Sequence, residues 1–138
     1  IELITDRPCD RFSFHRPPKW VLERRDDYIV NPKNLEAQYM TIAFESTDLA
    51  RKEMKAAIHP HDFTVRPQFV TNEINPGYHS LIKAFEKKTG IGVLLNTSFN
   101  LHGFPIVCSV NEAVKAFLDS GLDGLIVPGF FVLKRDQI

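Results

Sequence analysis

Two stretches of this 138-residue chain gather side chains able to do chemistry. The first is His59-Pro60-His61-Asp62-Phe63-Thr64-Val65-Arg66-Pro67-Gln68. An H-x-H pair on a strand can turn two imidazoles toward one metal, because alternate side chains share a face. Further ligands would have to come from downstream, where only His79 and His102 remain, without helpful spacing. The reading is therefore a polar loop entering a strand, with no metal site. Arg66 stands between apolar neighbours. It either pairs with a buried carboxylate, the plainer reading, or presents its fork to a phosphate or carboxylate ligand.

The second stretch, Asn96-Thr97-Ser98-Phe99-Asn100, directly follows the apolar run Ile91 to Leu95. Ligands of open α/β sheets bind at the carboxyl ends of strands, and this polar run occupies such an end. Asn96, Ser98 and Asn100 alternate, so three hydrogen-bonding side chains can face one side, suited to phosphate oxygens, ribose or a small amide. A polar turn whose Asn and Ser satisfy their own backbone is the equal alternative. No G-x-S-x-G elbow surrounds Ser98, so a serine nucleophile lacks support. No P-loop or G-x-G-x-x-G occurs. Lys83, Lys87 and Lys88 read with Glu86 as a solvated helix face. Cys108 reads as a small buried hydrophobe and Trp20 as a docking or core residue.

Two helices and several strands must position these residues. Asn75 is an N-cap with Pro76 in the first turn, Tyr78, Leu81, Ile82 and Phe85 share a face, and Gly90 stops the helix. Ser109 and Glu112 form a capping box before Ala113, Val114, Phe117 and Leu118, with Gly121 as the stop. Ile91 to Leu95 reads as a strand covered on both faces. Strands are also expected at Tyr39–Phe44, at Thr64–Val70 with an edge or bulge at Pro67, and on both sides of Pro128-Gly129. Ser46 or Thr47 caps a short helix to about Ala56. Before residue 36 a short helix is expected from Pro18, inside a lead-in rich in proline and charge. The fold class is α/β, a mixed twisted sheet with flanking helices, in a domain spanning 36–138 after a lead-in of 1–35.

Composition bounds the partners. Seventeen basic and 17 acidic residues give zero formal net charge, which counts against a nucleic-acid partner. Two cysteines are too few for a disulfide framework and suit a reducing, cytoplasmic setting. No run approaches the roughly 20 apolar residues of a membrane helix, so no membrane partner is expected.

Ala57-Ile58-His59-Pro60-His61-Asp62, Thr64-Val65-Arg66-Pro67-Gln68, Asn75-Pro76-Gly77-Tyr78, Leu95-Asn96-Thr97-Ser98-Phe99-Asn100, Pro105-Ile106-Val107-Cys108 and Gly121-Leu122-Asp123 stand in an order that resembles the C-terminal region of O-carbamoyltransferases. These enzymes act in nodulation-factor, aminoglycoside and cephamycin carbamoylation. The resemblance implies a YrdC-like domain that binds ATP and carbamoyl phosphate and forms a carbamoyl adenylate, with Mg2+ arriving on the nucleotide. It also implies an N-terminal actin-like, metal-containing domain of the same polypeptide, which passes the carbamoyl group to a substrate hydroxyl. The chain opens at Ile1 without Met, and is expected to be an excised C-terminal piece.

By the same resemblance, Ser98 and Asn100 match an S-x-N element near nucleotide phosphate, and Arg66 matches the arginine of T-x-R-P-Q. Thr64, Gln68 and Asn96 are their pocket neighbours. No side chain is assigned as the catalytic group. Arg16, Pro18 and Lys19 match a further run loosely. The family's arginine-bearing phosphate motif is absent, Phe63 stands where relatives carry glycine, and Phe104 where they carry glutamate. Two alternatives accompany this reading. One is a non-catalytic nucleotide or RNA module, with Phe63, Phe69 and Phe99 stacking bases. The other is an interdomain structural module using residues 1–35.

Overall fold

The computed structural model describes residues 18–31 and 33–134, the first five by backbone alone. In order these are β1 (Pro18–Val21), a 3-10 turn (Leu22–Arg24), α1 (Arg25–Tyr28), β2 (Ile29–Val30), β3 (Phe44–Ser46), α2 (Asp48–Glu53), a second 3-10 turn (Lys55–Ala57), β4 (Thr64–Val65), β5 (Gln68–Val70), α3 (Pro76–Thr89), β6 (Val93–Leu95), α4 (Val110–Asp119), β7 (Gly124–Val127) and β8 (Phe130–Leu133). The class is mixed α/β. The chain divides into two compact units at Asn96–Thr97.

In the first unit, β1 is the central strand of a mixed sheet ordered β5-β1-β6, parallel to β5 and antiparallel to β6. The helix expected from Pro18 is thus a strand. Proline is tolerated at a strand's first residue, and pairing on both sides overrides the local signal. Consecutive residues of β5 and β6 serve opposite faces. Phe69 and Val93 join a core with Tyr28, Phe44 and Val65, while Val70 and Leu94 pack with Tyr78 and Ile82 of α3. That arrangement explains the unbroken apolar run of β6, since both faces are covered.

A second sheet is antiparallel, ordered β2-β3-β4. The strand expected at Tyr39–Phe44 is displaced to Phe44–Ser46. Met40 adopts a left-handed φ of 57°, which interrupts the extended run before pairing begins. Thr64–Val70 is likewise two strands rather than one. Its halves, β4 and β5, belong to different sheets, and the break falls at Arg66-Pro67. Because proline cannot donate to a ladder, Pro67 is where the chain changes sheets.

The helix signals hold at most ends. Thr47 Oγ1 accepts from Ala50 N at 3.2 Å at the start of α2. Asn75 Oδ1 accepts from Tyr78 N at 3.0 Å, Pro76 opens α3, and Gly90 ends it in the left-handed region at φ 79°. In the second unit α4 carries the reciprocal capping box of Ser109 and Glu112 and ends at Ser120, one residue before the expected stop. Phe99, Ala113, Phe117 and Leu125 form that unit's core, and β7 and β8 pair as a hairpin across Pro128-Gly129.

Candidate functional site

The first unit collects four of the expected residues near one end of the β5-β1-β6 sheet. Lys19 pairs with Gln68 on one side and Leu94 on the other, so these two flank one row about 10 Å apart, two strand spacings. Because β6 runs antiparallel to β1, its carboxyl end reaches the edge where β5 begins. Asn96 follows that carboxyl end, and Arg66 precedes β5 by two residues. Local packing aims the residues between. Val65 and Pro67 are fully buried, which leaves Thr64, Arg66 and Gln68 on the more open side.

Arg66 is exposed and has no ion-pair or hydrogen-bond partner among the described residues. The buried carboxylate that sequence offered as its plainer partner is therefore not met there. Thr64 is already engaged, since its N and Oγ1 donate to Asp62 Oδ1 at 2.9 and 2.8 Å. Those two hydrogen bonds, backbone first, hold the Asp62 carboxyl below the usual carboxylate range. Asp62 also lies 3.0 Å from His59 Nδ1, and the two histidine rings stand 6.5 Å apart. The histidine stretch closes on itself as a turn. Among the described residues, no group of three or more His, Cys, Asp or Glu side chains could hold a metal ion.

Phe63, in the same turn, takes a left-handed φ of 57° that a bulky side chain rarely adopts. It is held there from two sides. Ser46 donates to the Phe63 carbonyl from its N at 3.2 Å and its Oγ at 2.5 Å. Arg51 lays its guanidinium 4.7 Å from the centre of the Phe63 ring, while its Nε donates to Ser46 Oγ at 3.2 Å. Phe63 thus does the conformational work expected of a glycine, and the turn survives because neighbours clamp it.

In the second unit Ser98 is exposed and donates from Oγ to Asn100 Oδ1 at 2.6 Å. The Asn100 carboxamide nitrogen donates to the carbonyls of Leu101 at 3.2 Å and Phe104 at 3.0 Å. Asn100 thereby shapes the loop that follows, and Ser98 is the member of the pair that faces solvent. Phe104 is exposed, and its carbonyl serves that loop.

Several expectations are corrected. Cys108 is exposed rather than buried, because its N and Sγ both turn toward Glu112 Oε2, at 3.0 and 3.3 Å. Phe69 and Phe99 are buried core residues, so they cannot stack nucleic-acid bases. Arg16 and the side chains of Pro18, Lys19 and Trp20 fall outside the described residues and side chains. Sequence reasoning also missed Gln38 and Tyr39. Phe69 N donates to the Ala37 carbonyl at 2.8 Å, which draws these two alongside β5 and next to Gln68. That contact joins residues 32 positions apart and leaves no local trace. No helix among the described residues is long and apolar enough to cross a membrane.

Comparison with known proteins follows the same residues. The family model described as Carbamoyltransferase C-terminus matches residues 10–134. The nodulation protein NolO of Bradyrhizobium diazoefficiens is 46% identical over 86 residues, covering 62% of this chain and 16% of that protein. An uncharacterized protein of Methanocaldococcus jannaschii is 38% identical over 103 residues, 75% of this chain and 17% of its own length. The 3'-hydroxymethylcephem-O-carbamoyltransferase of Amycolatopsis lactamdurans is 32% identical over 74 residues, 54% of this chain and 14% of that enzyme. The chain spans about a fifth of the length of the curated relatives it matches.

Proposed function

Since the chain belongs to the carbamoyltransferase C-terminal family, we propose that it forms part of an ATP and carbamoyl phosphate site. The site prepares a carbamoyl adenylate before transfer to a substrate hydroxyl. The relative named as an O-carbamoyltransferase acts on a 3'-hydroxymethylcephem, which supports hydroxyl chemistry for the group. In this reading residues 36–138 are a YrdC-like domain and residues 1–35 a lead-in. The whole works in the cytoplasm beside an N-terminal actin-like domain of the same polypeptide.

The observation that carries the proposal is the free fork of Arg66. A guanidinium held between two buried neighbours, exposed and unpaired among the described residues, is a ready partner for phosphate oxygens. Adenylation rearranges charge at the α-phosphorus: once water has split carbamoyl phosphate into carbamate and phosphate, a carbamate oxygen bonds to the α-phosphorus as the bond to the β-phosphate breaks and pyrophosphate leaves. Donors aimed at that charge stabilise the transition state. Arg66 supplies charge, Asn96 a neutral amide at the strand end, and Gln68 and Thr64 the adjoining wall. In the second unit, taken by itself, Ser98 offers a hydroxyl that can leave Asn100 for an anion, with Asn100 orienting it. These donors suit a nucleotide that brings Mg2+ with it, since oxygen ligands from phosphate and water satisfy that ion.

Calorimetry with ATP, Mg2+ and carbamoyl phosphate tests the reading. Binding heat is expected for the 138-residue chain, reduced in Arg66→Ala and Ser98→Ala. Absence of heat, together with an intact parent enzyme that tolerates both substitutions, sinks it.

A second reading, an interdomain structural module, is favoured by one feature of the second unit. Val114, Leu118, Ile126 and Phe131 are all exposed there, and apolar patches of that kind mark interaction surfaces. Under that reading the parent enzyme loses activity in Leu118→Asp or Phe131→Asp while Arg66→Ala stays active.

A further inference from the structure

The hairpin of the second unit presents β8 as an open edge. Val127 and Phe130 close a two-residue turn, and such a closing pair exchanges its hydrogen bonds. Bonded and non-bonded pairs alternate along an antiparallel ladder, so Phe131 and Leu133 turn their N–H and C=O groups away from β7. No further backbone hydrogen bond takes those groups up among the described residues. All four residues of β8 are exposed, Phe130 by 72% and Phe131 by 65%. The strand reads Phe-Phe-Val-Leu and pairs without a bulge, so it carries no charge, proline or kink to blunt its edge.

Lys134 follows β8, but its ammonium is committed inward. It donates to the Ser120 carbonyl at 2.5 Å and the Leu118 carbonyl at 3.4 Å, above the Phe117 ring. Those bonds bring the end of α4 to the end of β8. Directly opposed residues share a face, so Val132 stands on the side of Leu125, which packs with Phe117 of α4. Val132, Phe130 and the exposed Leu118 thus border an open apolar corner between α4 and the edge of β8. On the opposite face the Phe131 ring lies back across β7, where a Cβ on Gly124 would meet it at 2.7 Å. That leaves the backbone of the edge clear.

Residues 1–5, Ile-Glu-Leu-Ile-Thr, have the composition such an edge takes. Ile1, Ile4 and Thr5 are β-branched, no proline or glycine interrupts them, and Ile1 and Leu3 alternate with Glu2. Pro18 pairs with Leu95 in an antiparallel ladder, so the chain before residue 18 and the chain after residue 95 leave the same end of that sheet. Residues 6–17 tether the segment to β1 and span up to about 40 Å when extended. A four-residue edge is far too small for a stable contact between two copies, which takes about 800 Å² from each. A tethered segment meets the same edge at roughly millimolar effective concentration. We infer that residues 1–5 add to the free edge of β8 as a third strand, with Ile1 and Leu3 turned into the α4 corner and Ile4 beside Phe131. The pairing uses neither Arg66 nor Ser98, so it stands apart from the phosphate reading.

Amide hydrogen exchange of the isotope-labelled 138-residue chain, read by NMR, tests the pairing. Phe131 and Leu133 are expected to be protected about as well as Val132, with Overhauser contacts between Leu3 and Val132. Leu3→Asp should speed exchange at Phe131 and Leu133 by about tenfold or more. Val132, bonded to β7, should keep most of its protection and so report that the hairpin is still folded. If Val132 loses protection as well, the Overhauser contacts of the unaltered chain decide. Arg66→Ala should change none of these rates, so failure here and failure of the phosphate reading are told apart. Unprotected Phe131 and Leu133 amides, absence of the Leu3 contacts, protection indifferent to Leu3→Asp, or protection that falls on dilution, the mark of a second copy, would each overturn the inference.

Discussion

The guanidinium of Arg24 meets the carboxylate of Glu86 at 2.6 Å, joining the turn after β1 to the last part of α3 across 62 positions of sequence. Lys83 reaches the other carboxylate oxygen at 2.6 Å. Beneath them Gly92 leaves just enough room: a Cβ there would sit 3.2 Å from Glu86 Oε1 and 3.3 Å from Arg24 Cγ.

This pair sets an acid sensitivity. Lys83 first, and Arg24 second, hold the Glu86 carboxyl below the usual carboxylate range. A depressed carboxylate contributes stability that is fully present above its unfolded value of about 4.3 and is lost as pH falls through the folded value. Glu86→Gln should therefore cost about 1–2 kcal/mol at pH 7, where the pair is partly screened, and little at pH 3. Urea midpoints at the two pH values check this. Equal losses at both would show that packing, and not charge, is what the substitution removes.

Tyr28 predicts the opposite limb. Its ring is fully buried, and its hydroxyl donates to Glu53 Oε2 at 2.9 Å and lies 3.4 Å from Gly92 N. Burial, with help from Glu53, pushes the phenol up to about 12. The native state therefore favours the neutral phenol. That contribution is whole below the unfolded value of about 10 and is lost as pH rises through 12. Ultraviolet titration of the folded chain should show late tyrosine ionisation, and Tyr28→Phe should reduce that late amplitude.

The exposed thiol of Cys108 should be slow. Its hydrogen bond to Glu112 and the negative charge there both raise its pKa, which lowers the reactive thiolate fraction at neutral pH. Glu112→Gln should speed modification of Cys108 by a disulfide reagent at pH 7.5. The same change removes half of the capping box, so a lower thermal midpoint is expected alongside. Unchanged thiol kinetics in a folded variant would refute the electrostatic account.

Phe63 separates strain from packing. Alanine at this position keeps the left-handed strain and loses the Arg51 contact, whereas glycine loses the contact but relieves the strain. Phe63→Gly should therefore be more stable than Phe63→Ala by about 1 kcal/mol. Chemical denaturation of the two variants measures the difference directly, and a more stable alanine variant would mean that the turn is not strained.

Where partners lie within four residues, the sequence by itself determined the outcome. Asn75 with Tyr78, Ser109 with Glu112, and the Pro128-Gly129 turn carry their own hydrogen bonds or backbone preferences, so α3, α4 and the last hairpin were legible in the sequence. The family motif around Arg66 and Ser98 was readable for the same reason, being short and contiguous. What β1 does was not. Pro18 to Val21 becomes a central strand only because β5 and β6, far downstream, pair on its two sides. Long-range pairing likewise split Thr64–Val70 between two sheets and left Arg66 exposed at the junction. It also drew Gln38 and Tyr39 beside Gln68. Local chemistry decided which helices begin and where; packing between distant segments decided which side chains are buried and which stay open, because burial is a property of neighbours that a linear pattern does not contain.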